Sequence, residues 1–330
     1  MPKKIAIVGP GAVGCALGGF LSKAGHRVWL LDPWAEHIDA LKTRGLRITI
    51  GGRFEHGEFV DLDADHRVPM RAYHVFQACM LRQEFDIAFI TSKSYETAWM
   101  ARLIAPYLAP DGFVVAAQGG VTEDTLAEVV GEGRVVGCAL HTTSWLVEPD
   151  IVWQSKSHSA PEAYTVGELD GSQSSRLAEL VELMSDAGAT SSTTDIRSAK
   201  WSVLAAEVAR DPLVGLTGLE LAALAGNSQF ESVAACLSEE TVAVAAALGF
   251  AVEPHATRMP AEGHRDTVSQ DLARGRKTEV ADGLNGYVAR TGREAGVATP
   301  VNEALVELIG RVESGEVGPD IANLEVLQAA

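Results

Sequence analysis

An apolar run followed at once by three spaced glycines constrains this chain more than any other feature. Lys4-Ile5-Ala6-Ile7-Val8 is succeeded directly by Gly9-Pro10-Gly11-Ala12-Val13-Gly14. Residues 15–23 then read as a helix, and Arg27-Val28-Trp29-Leu30-Leu31-Asp32 as a second strand. The order strand, G-x-G-x-x-G, helix, strand, acid describes a βαβ unit in which each part has a mechanical task. Gly9 permits a tight turn, Gly11 lets a pyrophosphate approach the backbone, and Gly14 lets the helix pack close on the strand. The helix N-terminus offers unpaired N–H groups to phosphates. Gly9, Pro10, Gly11, Ala12, Val13 and Gly14 are therefore the expected dinucleotide loop. A glycine-rich turn alone is also compatible with a purely structural βα connection, but here the strand, the helix and the distal acid agree.

Asp32 sharpens the expectation. An acid at the end of the second strand accepts hydrogen bonds from the ribose hydroxyls of NAD and repels the 2′-phosphate of NADP. After Asp32 no Lys or Arg follows until Lys42. NAD is the expected cofactor, with NADP as the alternative. Asp32 has a second reading, as the cap of the helix that follows it.

Composition excludes whole classes of partner. The chain of 330 residues has room for two domains with their own cores. Its formal net charge of −17 argues against nucleic acid and anionic membrane surfaces, because both reward basic patches. Cys15, Cys79, Cys138 and Cys236 are scattered with no C-x-x-C pair, so neither a metal site nor a disulfide framework is expected. Cys15 lies at the N-terminus of the first helix, where either a favoured thiolate or simple packing is available to it. The chain begins Pro2-Lys3-Lys4 and runs straight into a strand, which reads as a cytoplasmic protein without a signal peptide. No apolar run is long enough to span a membrane.

Strands and helices alternate through the first part. Buried strands are expected at 85–90, 112–117 and 134–139, and helices at 95–108 and 123–130. Residues 46–77 read as a partly extended excursion, 151–166 as strand interrupted by a loop at 155–162, and 174–187 as a helix. Beyond about Asp195 the texture becomes Ala/Leu/Val/Glu-rich at helical spacing, with candidate helices at 198–209, 228–248, 264–273, 280–295 and 300–314. The expected architecture is a Rossmann-like, doubly wound, mostly parallel sheet over residues 1–194, followed by an all-α substrate and dimerisation domain over residues 195–330. Ligands of such sheets sit at the carboxyl ends of the strands.

Four stretches together resemble the ketopantoate reductase (2-dehydropantoate 2-reductase) family. They are the glycine loop; Thr91-Ser92-Lys93-Ser94-Tyr95; Tyr164-Thr165-Val166-Gly167-Glu168-Leu169-Asp170-Gly171 leading to Asp195-Ile196-Arg197 and Trp201; and Thr278-Glu279-Val280 with Asn285-Gly286 and the tail from Gly296 to Asn302. The resemblance implies redox exchange between a nicotinamide and a carbon bearing an oxo or hydroxy group, in a homodimer. It also implies a lysine general acid on the first long helix of the second domain, asparagines on the substrate, a glutamate on the substrate hydroxyl and a serine on its carboxylate.

The chain departs from that pattern where the chemistry should be. The family helix W-x-K-L-x-x-N-x-x-x-N-P is here Trp201-Ser202-Val203-Leu204-Ala205-Ala206-Glu207-Val208-Ala209-Arg210-Asp211-Pro212. Val203 stands for the lysine, and Glu207 and Asp211 for asparagines. Gln118-Gly119-Gly120 replaces the family's asparagine-glycine, with Gly119 in the asparagine's place; Gln118 is a candidate for both cofactor and substrate contact. Thr267 keeps a hydroxyl at the serine position. Glu279 matches the glutamate counted from Thr278, whereas Val280 does when counted back from Asn285, because one residue is inserted.

Valine gives no proton, so another group must serve the substrate oxygen. Lys93, at a strand end on the cofactor side, is one candidate, with cofactor positioning as its other reading. Glu207 is a second: it shares a helix face with Val203, and apolar surroundings would raise its pKa. Its other reading is an ion pair with Arg210. His141, after the strand at 134–139, is a third. His158, His255 and His264 read as surface residues. The substrate-contact candidates are Gln118, Asp211, Thr267 and Glu279. The substitutions remove a cation and add negative charge, so a larger, less charged or cationic substrate suits the pocket better than a small carboxylate.

The leading expectation is an NAD-dependent dehydrogenase acting on a secondary alcohol or hydroxy acid other than pantoate. The alternatives are an NADPH-dependent 2-oxo acid reductase using Lys93, a catalytically silent dinucleotide-binding protein, and a non-redox enzyme that recycles bound NAD.

Overall fold

The computed structural model describes residues 2–50, 53–55, 58–60, 67–154, 162–252 and 266–328. By packing, the chain falls into two units: Met1–Gln118 with Thr122–Ile196, and Gly119–Val121 with Arg197–Ala330. His158, His255, His264 and most of the loop expected at 155–162 lie outside the described residues.

The first unit is built on an eight-stranded sheet in the order Thr190–Ser192, Tyr164–Glu168, Val135–Leu140, Leu108–Ala116, Phe85–Ile90, Lys4–Val8, Arg27–Asp32, Arg71–His74. Every neighbouring pair is parallel except Val135–Leu140 with Tyr164–Glu168. The central strands read as continuous apolar runs because both faces are covered. Ile5, Ile7, Val28 and Leu30 belong to one core, with the helix Ala12–Lys23; Ala6, Val8, Leu31 and Ile90 belong to the other, with Met100 and Leu126. The chain order reverses between Lys4–Val8 and Phe85–Ile90. In open α/β sheets that reversal opens a crevice at the carboxyl ends of the two strands, where ligands bind.

A second sheet of four strands, in the order Ser144–Glu148, Ile151–Gln154, Leu46–Ile50, Arg67–Val68, was not foreseen. Its strands are short, and the pairing of Ile151–Gln154 with Leu46–Ile50 that joins its two halves is non-local, so no local period announces the sheet. Leu46, Val68, Leu146 and Val152 join Leu17, Phe20 and Leu21 of the first helix in one core. At the turn before Ile151, Asp150 takes φ +68°, and its fully buried carboxylate is paired with both Arg44 and Arg67.

Two expected helices differ in extent. Residues 95–108 form a short 3-10 turn Ser94–Glu96, the helix Thr97–Ile104 and a second 3-10 turn Ala105–Tyr107; the next strand, Leu108–Ala116, starts ahead of the expected 112. Pro106 has no N–H to continue the helical ladder, which explains the early stop. At 280–295 the helix begins only at Asn285. Before it, the N–H groups of Asp282, Gly283 and Leu284 all donate to the Glu279 carbonyl in a compact turn.

The described residues of the second unit are helical from Arg197 on, with no strand among them. Trp201 is buried against Phe250 and Tyr287, within a core that also takes in Leu204, Leu237, Leu305 and Leu308. A polar chain crosses this core. Glu240 accepts from the N–H groups of Val301 and Asn302 at the start of the helix Pro300–Glu313. The Asn302 amide donates to Glu240 at 2.7 Å, its oxygen accepts from Asn285 at 2.9 Å, and Asn285 also donates to the Val208 carbonyl. Asn302→Ala should destabilise the protein by about 2 kcal/mol, read from urea denaturation, because it leaves buried partners unsatisfied. A loss below about 0.5 kcal/mol would show the chain of bonds to be energetically idle.

Candidate active site

The glycine loop has the backbone geometry its spacing implies. Gly9 has φ +76°, and a Cβ there would collide with Ser92. A Cβ on Gly14 would collide with the Thr91 hydroxyl and the Ile7 side chain, so only glycine lets the helix lie this close to the sheet. At Gly11 the nearest obstacle to a Cβ is 4.0 Å away, which leaves the backbone face open. The Cys15 N–H closes the first helical turn onto the Gly11 carbonyl, and no side chain caps the helix. Among the described residues, the N–H groups of Ala12, Val13 and Gly14 meet no acceptor. The loop is thus a cradle of open amides at a helix N-terminus, the geometry that holds a pyrophosphate.

The turn after Phe85–Ile90 is seated on this cradle. The Thr91 hydroxyl donates to the Gly9 carbonyl at 2.9 Å, and Ser92 fills the space over Gly9. Lys93 follows at the N-cap of Ser94–Glu96, partly exposed. Gln118, by contrast, is buried. Its amide donates to the Ser92 carbonyl at 2.7 Å and the Thr97 hydroxyl at 3.0 Å, and its oxygen accepts from Thr122. These bonds tie two strand-end loops together.

The Asp32 carboxylate accepts from the Trp34 N–H at 2.7 Å, so it caps the turn into the helix Ala35–Arg44 while remaining at the strand end. Cys15 packs rather than reacts. Its sulfur is buried against the Pro10 carbonyl, and burial together with Asp32 and Asp150 holds its pKa well above the usual thiol range, which removes the thiolate option. The His141 ring lies 2.8 Å from the Thr165 hydroxyl and 3.9 Å from Glu162.

The second unit assembles the other candidates. Val203 and Glu207 share the half-buried face of the helix Ile196–Val208, while Leu204 and Val208 enter the core. The N–H of Gly120 donates to Glu207 at 3.3 Å, and Gly119 lies so near that a Cβ would sit 3.4 Å from the carboxylate. Gly120 itself has φ +69° and abuts the Gly283 carbonyl of the turn before the helix Asn285–Ala295. Burial, reinforced by the negative charge of Asp211 and only partly offset by Lys200 and Arg210, pushes the Glu207 pKa up to about 7. The Arg210 guanidinium bonds Asp211, so the anticipated Glu207–Arg210 ion pair is not the arrangement formed.

Sequence reasoning missed Asp266. It caps the helix Thr267–Ala273, accepting from the Ser269 N–H at 2.7 Å and the Ser269 hydroxyl at 2.6 Å. Burial and the charge of Asp211 raise its pKa to about 7. The signal was present, because Asp266 and Ser269 stand at the N-cap spacing. Thr267, beside it, is exposed. Of the two residues competing for the glutamate position, Val280 is fully buried in the core and Glu279 is partly exposed.

Comparison with known proteins agrees with this geometry. The model of the family Ketopantoate reductase PanE/ApbA matches residues 5–171, and that of the Ketopantoate reductase PanE/ApbA C terminal matches residues 195–313. The 2-dehydropantoate 2-reductase of Archaeoglobus fulgidus is 28% identical over 325 residues, covering 95% of this chain and 99% of that protein. The crystal structure of a PanE/ApbA family ketopantoate reductase from Ralstonia eutropha superposes with a TM-score of 0.78 at 27% identity, covering 95% of this chain and 99% of the other. A D-mandelate dehydrogenase with NADH and anilino(oxo)acetate shares the fold, with a TM-score of 0.78 at 22% identity over 94% of this chain and 99% of its own. Two family models that together span most of the sequence, with a solved family member sharing the fold, make this chain a member of the ketopantoate reductase family of oxidoreductases.

Proposed function

We propose that the chain is an NAD-dependent dehydrogenase that oxidises a secondary alcohol or a hydroxy acid other than pantoate. One observation carries the reading: a half-buried carboxyl, Glu207, titrates near neutrality on the same helix face as Val203, where the resemblance leads one to expect a lysine. When bound, a nicotinamide dinucleotide supplies the partner for the two electrons of the reaction. The amides of Ala12, Val13 and Gly14 would hold its pyrophosphate and Asp32 its ribose, with Lys93 on the turn seated over Gly9. Glu207 takes the proton of the substrate hydroxyl in oxidation and returns it in reduction, with its pKa close to the ambient pH, as general acid–base work requires.

Charge supports a substrate unlike ketopantoate. Glu207, Asp211 and Asp266 gather in one neighbourhood of the helical unit, where the Arg210 guanidinium is already taken up by Asp211. A small carboxylate is accommodated less well there than a larger, less charged or cationic hydroxy compound. The family resemblance supports a homodimer. No helix among the described residues is long and apolar enough to cross a membrane, and we place the protein in the cytoplasm.

A second reading, an NADPH-dependent 2-oxo acid reductase in which Lys93 gives the proton, is favoured by the names of the relatives and by the seating of the Lys93 turn. Calorimetric titration with NAD, NADH, NADP and NADPH separates the two. Tighter binding of the NAD pair, followed by NAD reduction with a panel of hydroxy compounds, is expected. Preference for the NADP pair, with turnover confined to small 2-oxo acids, overturns the proposal. Asp32→Ala should weaken NAD binding about tenfold, the worth of one charge-assisted hydrogen bond, and leave NADP unharmed.

Glu207→Gln should lower turnover by about 100-fold or more while dinucleotide affinity stays within about twofold. Stability gives an independent check. Because the folded pKa lies above the ordinary 4.5, the native state holds the proton more tightly, and the wild type loses stability as pH rises from about 4.5 through about 7. Glu207→Gln lacks that loss. The variant should gain on the wild type by on the order of 2 kcal/mol across this window, less than the full shift because the group is partly exposed.

A further inference from the structure

The glycine loop is gripped from behind by a histidine with no place in the chemistry described so far. His37, in the helix Ala35–Arg44, is 1% exposed. Its Nε2 lies 2.9 Å from the Pro10 carbonyl, and its Nδ1 lies 3.2 Å from the backbone N–H of Asp150. These partners fix the ring chemically. A backbone N–H only donates, so Nδ1 is the acceptor and carries no proton. A carbonyl only accepts, so Nε2 carries the proton and donates it. The Pro10 carbonyl also accepts from the Cys15 thiol at 3.1 Å, and the Trp34 ring stacks on the imidazole at a centroid distance of 5.3 Å.

Pro10 stands between the two glycines that shape the cradle. Its carbonyl is one end of the Pro10–Gly11 peptide plane, and the Gly11 N–H at the other end donates back to the Gly9 carbonyl at 2.7 Å. Fixing the carbonyl fixes that plane, and with it the direction in which the amides of Ala12, Val13 and Gly14 open.

We infer that His37 is a positioning residue for the dinucleotide: through the Pro10 carbonyl it holds the glycine loop in the one orientation that presents the amides of Ala12, Val13 and Gly14 to a pyrophosphate. The other side of the ring ties this grip to the Asp150 turn, where Arg44 of the same helix and Arg67 of the small sheet meet the buried carboxylate. The unforeseen four-stranded sheet thus serves as the brace of the cofactor loop. This inference rests on the dinucleotide reading.

Three variants separate the contacts. His37→Gln places an amide N–H where Nε2 lies and keeps the Pro10 bond. His37→Asn reaches only the Nδ1 position and keeps the Asp150 bond alone. His37→Phe fills the space and keeps neither. Calorimetric titration with NADH and NADPH should give His37→Gln an affinity within about threefold of the wild type, while His37→Asn and His37→Phe weaken it by about tenfold, the worth of a buried hydrogen bond. Equal affinity in all three variants and the wild type overturns the inference. Where the variants do not fold, the nitrogen NMR signals of His37 in the wild type decide: a neutral Nε2–H ring whose signals shift on saturation with the bound dinucleotide is expected, and the opposite tautomer or an unmoved signal overturns it. If the wild type binds no dinucleotide at all, the cofactor reading itself falls, and this inference with it.

Discussion

The contact between the glycine loop and the turn after Phe85–Ile90 is what the candidate cofactor site depends on. Gly9 and Gly14 have no side chains so that Ser92, Thr91 and Ile7 can occupy the space beside them, and the Thr91 hydroxyl closes the gap with a bond to the Gly9 carbonyl. A strand-end loop and a helix N-terminus become one rigid surface, placed where the strand order reverses. A methyl group at either glycine would have to displace a packed side chain or the neighbouring backbone, and interiors packed to crystal-like density tolerate that poorly. The proposed pyrophosphate cradle and the packing of the sheet therefore depend on the same residues.

Much of this was legible in the sequence because it is local. The run Ile5-Ala6-Ile7-Val8, the three glycines and the acid at Asp32 lie within one βαβ unit, and each carries its own signal. The helical texture after Asp195 is equally local, since it rests on spacing within single helices. Pairings between distant segments were not legible. Ile151–Gln154 lies beside Leu46–Ile50, about a hundred residues earlier in the chain, and nothing in either stretch names the other. The ambiguity between Glu279 and Val280 was also beyond a count of residues. In the structure the turn at 279–284, where three N–H groups converge on one carbonyl, buries Val280 and leaves Glu279 partly exposed.

The electrostatics of the helical unit show the same division. That Glu207 sits with Val203 follows from helical spacing, and so does the expectation of a raised pKa. That Asp266 joins the neighbourhood required the fold, because more than fifty residues separate it from Asp211. Arg210 illustrates the competition between sequence neighbours. Glu207 and Asp211 are both within reach by spacing, and the guanidinium bonds Asp211. Among the described residues Glu207 has no direct ionic partner, and burial, reinforced by the charge of Asp211, lifts its pKa to about 7 against the opposing pull of Lys200, Arg210 and the Gly120 N–H.

Asp150 is specified twice over. A left-handed φ admits glycine, asparagine and aspartate with little strain and resists other side chains. Two guanidiniums directed at the same buried site then remove glycine, which offers them nothing, and asparagine, which leaves their charge unbalanced. The backbone and the charges together reduce twenty amino acids to one.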